Sequence, residues 1–268
     1  WVAAIKSAGL KGLVLTAKHH DGFCLWPSAY TDHSVRSSKW RDGKGDVVAE
    51  CAKACKEFGI KFGIYVSPWD RHEPSYGSGE AYNKFFKNQL REVLTAYGEL
   101  FCVWFDGACG EGPDGKKQVY DFESYFELIR KYQPDATVFK DDGPDIRWCG
   151  NESGSVRAAE WAVVPYELCG FCEKQTEGKL LEGELKNAYN SDKDIGSFDN
   201  IAYSEGLVFC PSEIDMSIRP GWFYHKDQDD QVRSPENLMR LWFSSVGSNT
   251  GLLLNIPPDR RGLLHEND

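Results

Sequence analysis

The sequence has no apolar run near the roughly 18 residues that a membrane-spanning helix needs. It also lacks a basic, then apolar, then small-residue stretch at its start. Membrane insertion is therefore not expected of these residues, and they read as soluble. The chain opens at Trp1 without a methionine and inside a helix-like stretch, Trp1 to Leu10. A segment carrying a signal peptide could precede it, so localisation stays open. Positive charge is short as well: 31 Lys and Arg stand against 41 Asp and Glu, a formal net charge of −10. A phosphate surface would repel such a chain, which excludes nucleic acid and anionic membranes as partners and favours a neutral ligand. No glycine-rich phosphate turn follows any apolar run, against a dinucleotide-binding doubly wound sheet. His-x-His and His-Glu-x-x-His spacings are missing, so no metal is expected. Low-complexity linkers and internal repeats are missing too, and residues 1–268 read as one domain.

Cysteine is present in an odd number, nine, in a chain too large to depend on disulfides. Most sit in apolar company, as Cys102 does between Phe101 and Val103, and read as buried reduced thiols. Cys169-Gly170-Phe171-Cys172 could be a redox or zinc half-site, yet no second pair accompanies it and no strand leads into a helix there.

What is there suits a large α/β domain, with 41% apolar and 13% aromatic residues to fill a core. Four short runs read as strands buried on both faces: Gly12–Thr16, Lys61–Val66, Leu100–Phe105 and Ala136–Phe139. Helical periods lie between them, at Val47–Phe58, Glu80–Tyr97 and Tyr120–Tyr132, closing at Gly59, at Gly98 and before Pro134. Further strands are expected at Val163–Pro165, Glu213–Met216 and Gly251–Ile256, with a helix over Pro235–Val246. This alternation predicts a (β/α)₈ TIM-like barrel, a doubly wound sheet being the alternative.

Parallel barrels carry their chemistry where strands stop. Those ends are rich here: Lys18-His19-His20-Asp21-Gly22-Phe23, Tyr65-Val66-Ser67-Pro68-Trp69-Asp70 and Trp104-Phe105-Asp106-Gly107. Asp106 follows five apolar residues and precedes a glycine that lets the chain turn away, so it reads as a carboxylate at the barrel mouth or as a capping aspartate. Strand alternation would send His19 and His20 to different sides, where both could bond a polyol, one could bind metal, or the pair could simply pack. Trp26, Trp69, Trp104, Trp148 and Trp222 lie at or beyond strand ends, where indoles stack on sugar faces, although nine tryptophans must place some near loops anyway.

Taken together and in this order, Lys18–Phe23, Tyr65–Trp69, Trp104–Gly107 and Leu253-Leu254-Asn255-Ile256-Pro257 resemble the barrel of the family 29 glycoside hydrolases, the α-L-fucosidases. The resemblance spans the whole chain. It implies that Asp106 is the nucleophile of a retaining hydrolysis and that His19, His20, Tyr65 and Trp104 line a fucose pocket. Retention needs a second carboxyl group, one kept protonated by burial or by its neighbour. Glu50, Glu111 and Glu160 are available for that role. Arg147–Gly154, however, resembles the acid/base segment of the branch that removes α-1,3 and α-1,4 fucose from branched glycans, and it designates Glu152. Asn151-Glu152-Ser153 also spells a glycosylation sequon, which a catalytic loop would not tolerate. Ser212–His225 resembles the same branch and adds Trp222 to the sugar-contacting residues. Arg147 would orient Glu152, contact the sugar, or form an ordinary salt bridge. The partner implied is a fucosylated oligosaccharide or glycoconjugate, and the route needs no cofactor and no metal.

Family members have a first strand with a pocket histidine and a β-sandwich after the barrel. Neither is found in these 268 residues, so the chain is expected to be a partial barrel without its first strand and without the sandwich. A non-catalytic fucosyl-glycan-binding module is the reading from another class. Two carboxylates speak against it, since binding alone requires neither an acid nor a nucleophile.

Overall fold

The computed structural model describes residues 1–141, 143–154, 156–157, 160–166, 196–202 and 204–268. Cys169-Gly170-Phe171-Cys172 lies outside the described residues. The chain divides into two compact units, Val2–Val138 and Phe139–Asp268 with Trp1.

In the first unit a four-stranded sheet is built from β1 (Gly12–Lys18), β2 (Lys61–Val66), β3 (Cys102–Trp104) and β4 (Thr137–Phe139), the last reaching the unit boundary, in the order β1-β2-β3-β4, with β1, β2 and β3 parallel. Helices α1 (Val2–Ser7), α2 (Val47–Phe58), α3 (Glu80–Ala96) and α4 (Phe122–Tyr132) alternate with the strands. Each helix has a local cause. The Asp46 side chain caps α2 by accepting from the Ala49 N–H, and Gly59, at φ 66°, ends it in the left-handed conformation a side chain would resist. Its buried residues Val48, Cys51 and Cys55 recur at helical spacing. On α3 the same period buries Tyr82, Phe86, Leu90, Val93 and Leu94, and on α4 Tyr125 and Ile129.

Strand β1 runs in register with β2 from Gly12↔Lys61 to Thr16↔Tyr65, then Lys18 pairs with Val66, leaving Ala17 as an extra residue. A bulge of this kind bends a strand and re-aims the chain beyond it. Here that chain is the His19–His20 turn.

In the second unit β5 (Arg147–Trp148), β8 (Ser212–Ser217) and β9 (Gly251–Asn255) form a parallel sheet in the order β5-β8-β9. Between β5 and β8 in sequence lie β6 (Val163–Pro165) and β7 (Leu207–Phe209), paired antiparallel with each other. Val163–Pro165 is thus a strand, as its β-branched pair predicts, but it belongs to a two-stranded ribbon rather than to a parallel sheet. The parallel partner of β8 is instead the two-residue Arg147–Trp148, too short to leave a periodic signal. Helix α5 (Pro235–Ser245), capped by Ser234 and started by Pro235, precedes β9.

Candidate active site

The first unit gathers its polar side chains at the C-terminal ends of β1, β2 and β3. Strand β1 ends at Lys18, so strand alternation does not reach the two histidines, which sit in a turn closed by Gly22 N–H donating to His19 O at 3.0 Å. Their rings are 4.0 Å apart between centroids and share one cluster, against the expectation that they diverge. Tyr65, near the end of β2, stacks on His19 at 5.7 Å and on Trp104 at 5.3 Å. Trp69 packs against His20 at 4.5 Å.

Asp106 lies just past β3, half-buried beneath these rings. Its two oxygens are held separately: Tyr65 OH donates to Oδ2 at 2.8 Å, and the Ala108 N–H donates to Oδ1 at 2.7 Å. His20 Nε2 stands 3.7 Å from Oδ2. On the other side of that ring, Nδ1 meets Ser67 Oγ at 2.7 Å. Burial pushes both histidines down. His20 falls to about 4, with the neighbouring His19 adding to the burial and Asp106 opposing it, and His19 moves in the same direction for the same first reason. Both rings are neutral near pH 7, each with one N–H donor and one acceptor nitrogen, a combination suited to hydroxyl groups. Among the described residues, His19, His20 and Asp106 are the grouping whose ligand-type atoms, within 4.8 Å of one another, could hold a cation. Hydrogen bonds already occupy His20 Nδ1 and both Asp106 oxygens.

The second unit brings together Glu152 and Trp222. The exposed Glu152 carboxylate accepts from Trp222 Nε1 at 3.3 Å. Trp222 is anchored from behind by Asn255, whose Nδ2 donates to the Trp222 carbonyl and to Ser217 Oγ, both at 2.9 Å. Next to Glu152, the Ser153 N–H and hydroxyl both turn back onto Asn151 Oδ1, which tightens the loop. Trp148 Nε1 donates to the buried Asp215 at 2.6 Å.

Arg147 is 1% exposed and its guanidinium turns inward, to Glu160 Oε1 at 2.5 Å, the Trp161 carbonyl at 3.0 Å and the Cys210 carbonyl at 3.1 Å. Of its three readings, this geometry is that of a salt bridge holding the entry to β8. The same pair ties up Glu160. Glu50 is paired with Arg41, and Glu111 sits in an exposed turn bridged to Lys117. Trp26 is buried, with its indole N–H on Glu92, and packs rather than faces a ligand. Ser67 escapes sequence reasoning, although it lies inside the quoted Tyr65–Asp70 segment. A serine carries no signal until its partner ring is seen.

The profile of the family described as alpha-L-fucosidase matches residues 1–268. "Alpha-L-fucosidase 1" of Arabidopsis thaliana is 45% identical over 268 residues, all of this chain and 48% of that protein. A putative alpha-L-fucosidase of Bacteroides ovatus has a solved structure that is 50% identical, with a TM-score of 0.90, covering 100% of this chain and 45% of that one. A family 29 fucosidase of Ruminococcus gnavus, solved in complex with fucose, is 32% identical, with a TM-score of 0.79, over 99% of this chain and 54% of that one. The chain thus spans about half the length of the relatives it matches.

Proposed function

Since the chain belongs to the alpha-L-fucosidase family, we propose that it supplies the catalytic residues of a retaining α-L-fucosidase acting on α-1,3- and α-1,4-linked fucose of branched glycans. The observation that carries this is Asp106, partly buried, with each oxygen fixed by a separate donor, beside neutral imidazoles and stacked aromatic rings. Asp106 attacks the anomeric carbon to form a covalent fucosyl-enzyme, while Glu152 protonates the departing glycosidic oxygen. Glu152 then takes a proton from water, which releases fucose with its configuration retained. His19 and His20 exchange hydrogen bonds with the sugar hydroxyls, and Tyr65, Trp104 and Trp222 offer ring faces to its apolar side. The alternation of strands and helices supports a (β/α)₈-type frame for this chemistry.

The linkage preference rests on Arg147–Gly154 and Ser212–His225 alone. Comparing fucose release from a Lewis-type trisaccharide and from 2′-fucosylated lactose tests it, and the first is expected to be the faster. Monitoring the anomeric proton of newly released fucose by NMR tests retention. Binding of the trisaccharide with no turnover would instead make the protein a glycan-binding module.

A further inference from the structure

The residue before the histidine pair is a lysine with no exposure at all. Lys18 and its partner Asp70 are 0% and 2% exposed, and Nζ donates to Asp70 Oδ2 and to Gln89 Oε1, each at 3.0 Å. The ammonium also lies 5.1 Å from the Phe86 ring. A buried ion pair of this kind costs so much desolvation that two apolar residues of similar size commonly serve stability as well or better. Its connections show what else it does. Asp70 Oδ1 accepts the N–H groups of His72 and Glu73, both at 2.9 Å, so the ion pair, through Lys18 and Gln89 on one side and Asp70 on the other, ties the end of β1 and helix α3 to the loop that leaves β2. Burial alone would raise the Asp70 carboxyl, but the Lys18 charge and these two amides hold it below the usual range.

The two segments joined in this way carry the site. His19 and His20 come directly after Lys18, and Trp69 directly precedes Asp70. Further bonds run between them: Ser67 N–H to Lys18 O at 2.9 Å, Arg71 N–H to His20 O at 2.8 Å, and a hydrogen bond between Ser67 Oγ and His20 Nδ1 at 2.7 Å. Gly22 folds over the carboxylate at φ +77°, where a Cβ would stand 2.3 Å from Asp70 Oδ1. Asp70 is thus in contact with the residue before the histidine pair, with Gly22 at the far end of their turn, and with the loop that follows Trp69.

We propose that Lys18 and Asp70 are positioning residues for the fucose site, acting through the His19–Gly22 turn and the Ser67–Glu73 loop to hold His20 and Trp69 over Asp106. This rests on the reading of His20 and Asp106 as the site of reaction. Displacing such groups by about 1 Å costs on the order of 10²-fold in rate.

The test uses two double variants of the full chain, neither of which leaves a lone buried charge. Lys18→Met with Asp70→Asn keeps an acceptor for the His72 and Glu73 amides, whereas Lys18→Met with Asp70→Leu removes it. Melting midpoints, kcat and KM on an aryl fucoside, and the His20 ring resonances by NMR are measured for both. Positioning predicts folded proteins in which the Leu variant loses about 10²-fold in kcat, more than it changes in KM, and shows displaced His20 signals. The Asn variant should recover most of both. Should the Leu variant fail to fold, Gln89→Met, which removes the second acceptor of the Lys18 ammonium and no charge, is expected to give a kcat loss and His20 ring shifts in the same direction. Wild-type kcat and unchanged His20 signals in the folded variants would overturn the proposal, as would losses that track only the unfolded fraction. A wild-type protein that carries these residues together with any segments that flank them and still releases no fucose defeats the functional reading instead, and the His20 signals still decide the positioning.

Discussion

At Asp106, the proposed nucleophile, two donors fix a carboxylate that no Lys or Arg contacts directly among the described residues. Asp106→Ala is expected to cut kcat by about 10³-fold or more, the scale of losing a nucleophile. The melting midpoint should fall by only a few degrees, because what is lost from a partly buried side chain is two hydrogen bonds worth about 1 kcal/mol each. Steady-state kinetics beside calorimetry separates the two effects. Glu152→Ala should leave an activated aryl fucoside nearly as good a first-step substrate as before while a trisaccharide loses about 10²- to 10⁴-fold, since only a poor leaving group needs the proton. Added azide should then restore turnover of the aryl substrate and yield a fucosyl azide. His20 supplies a pH effect whose sign is set by its depressed value of about 4. Above about pH 6.5 the ring is neutral in the folded and unfolded chains alike and contributes nothing. Between there and pH 4 the unfolded chain takes up a proton that the folded one refuses, so stability falls as pH falls, and below pH 4 the loss is complete. Melting midpoints from pH 7 to 4 should therefore drop less steeply in His20→Gln than in the parent, and parallel curves would remove the assignment. Asp106 stands out in the sequence because it follows an apolar run, although the run alone leaves a capping role open, and Tyr65 and Trp104 are singled out only by the family resemblance. The shared orientation of His19 and His20 is not, because it depends on β1 stopping at Lys18 after a one-residue bulge.

Elements explain how a motif far along the chain bears on the proposed acid/base, Glu152. Strand β9 pairs with β8 up to Ser217↔Asn255, which sets the Asn255 amide against Ser217 Oγ and the Trp222 carbonyl. The Leu253–Pro257 segment can then be understood as a strand whose last residue pins the Trp222 loop, and through the indole N–H it orients Glu152. Asn255→Ala removes two hydrogen bonds, worth about 1 kcal/mol each, and frees that loop. It is expected to lower kcat/KM for a Lewis trisaccharide by about tenfold, a loss of about 1.4 kcal/mol in transition-state binding. An activated aryl fucoside should suffer much less, because it leans less on Glu152. Equal losses on both substrates would mean that Asn255 serves the strand alone. Strand existence is legible from β-branched and apolar runs, as at β1, β2 and β8, and helix ends from Asp46, Gly59 and Ser234. Partnership is not: Val163–Pro165 carries the same local signal as a parallel strand, and only the long-range pairing with Leu207–Phe209 makes it antiparallel.

At the largest scale, the 31 positive and 41 negative side chains of these 268 residues bear on how a glycan approaches the site they carry. A net charge of −10 surrounds the protein with a negative potential that reaches about 10 Å at 0.1 M salt and about 30 Å at 0.01 M. The chemistry proposed for the site makes no use of a substrate charge, since neutral imidazoles and aromatic rings recognise hydroxyls and an apolar sugar face. The field therefore does nothing for a neutral fucosylated trisaccharide and repels the same trisaccharide bearing a terminal sialic acid. Values of kcat/KM for the neutral substrate should be flat between 0.01 and 0.2 M salt, roughly the span over which the screening length shrinks threefold or more. For the sialylated substrate, kcat/KM should start lower and climb as salt is added, with the gain in KM and not in kcat, because screening acts on encounter and leaves the reacting atoms untouched. The two curves should converge at high salt unless the extra sugar also clashes sterically, in which case a neutral hexose at the same position reproduces the residual gap. A sialylated substrate that is preferred at low salt would mean that a local positive patch near the entrance outweighs the net charge, and Arg71, whose guanidinium lies 5.6 Å from the Trp69 ring, is the side chain to neutralise first.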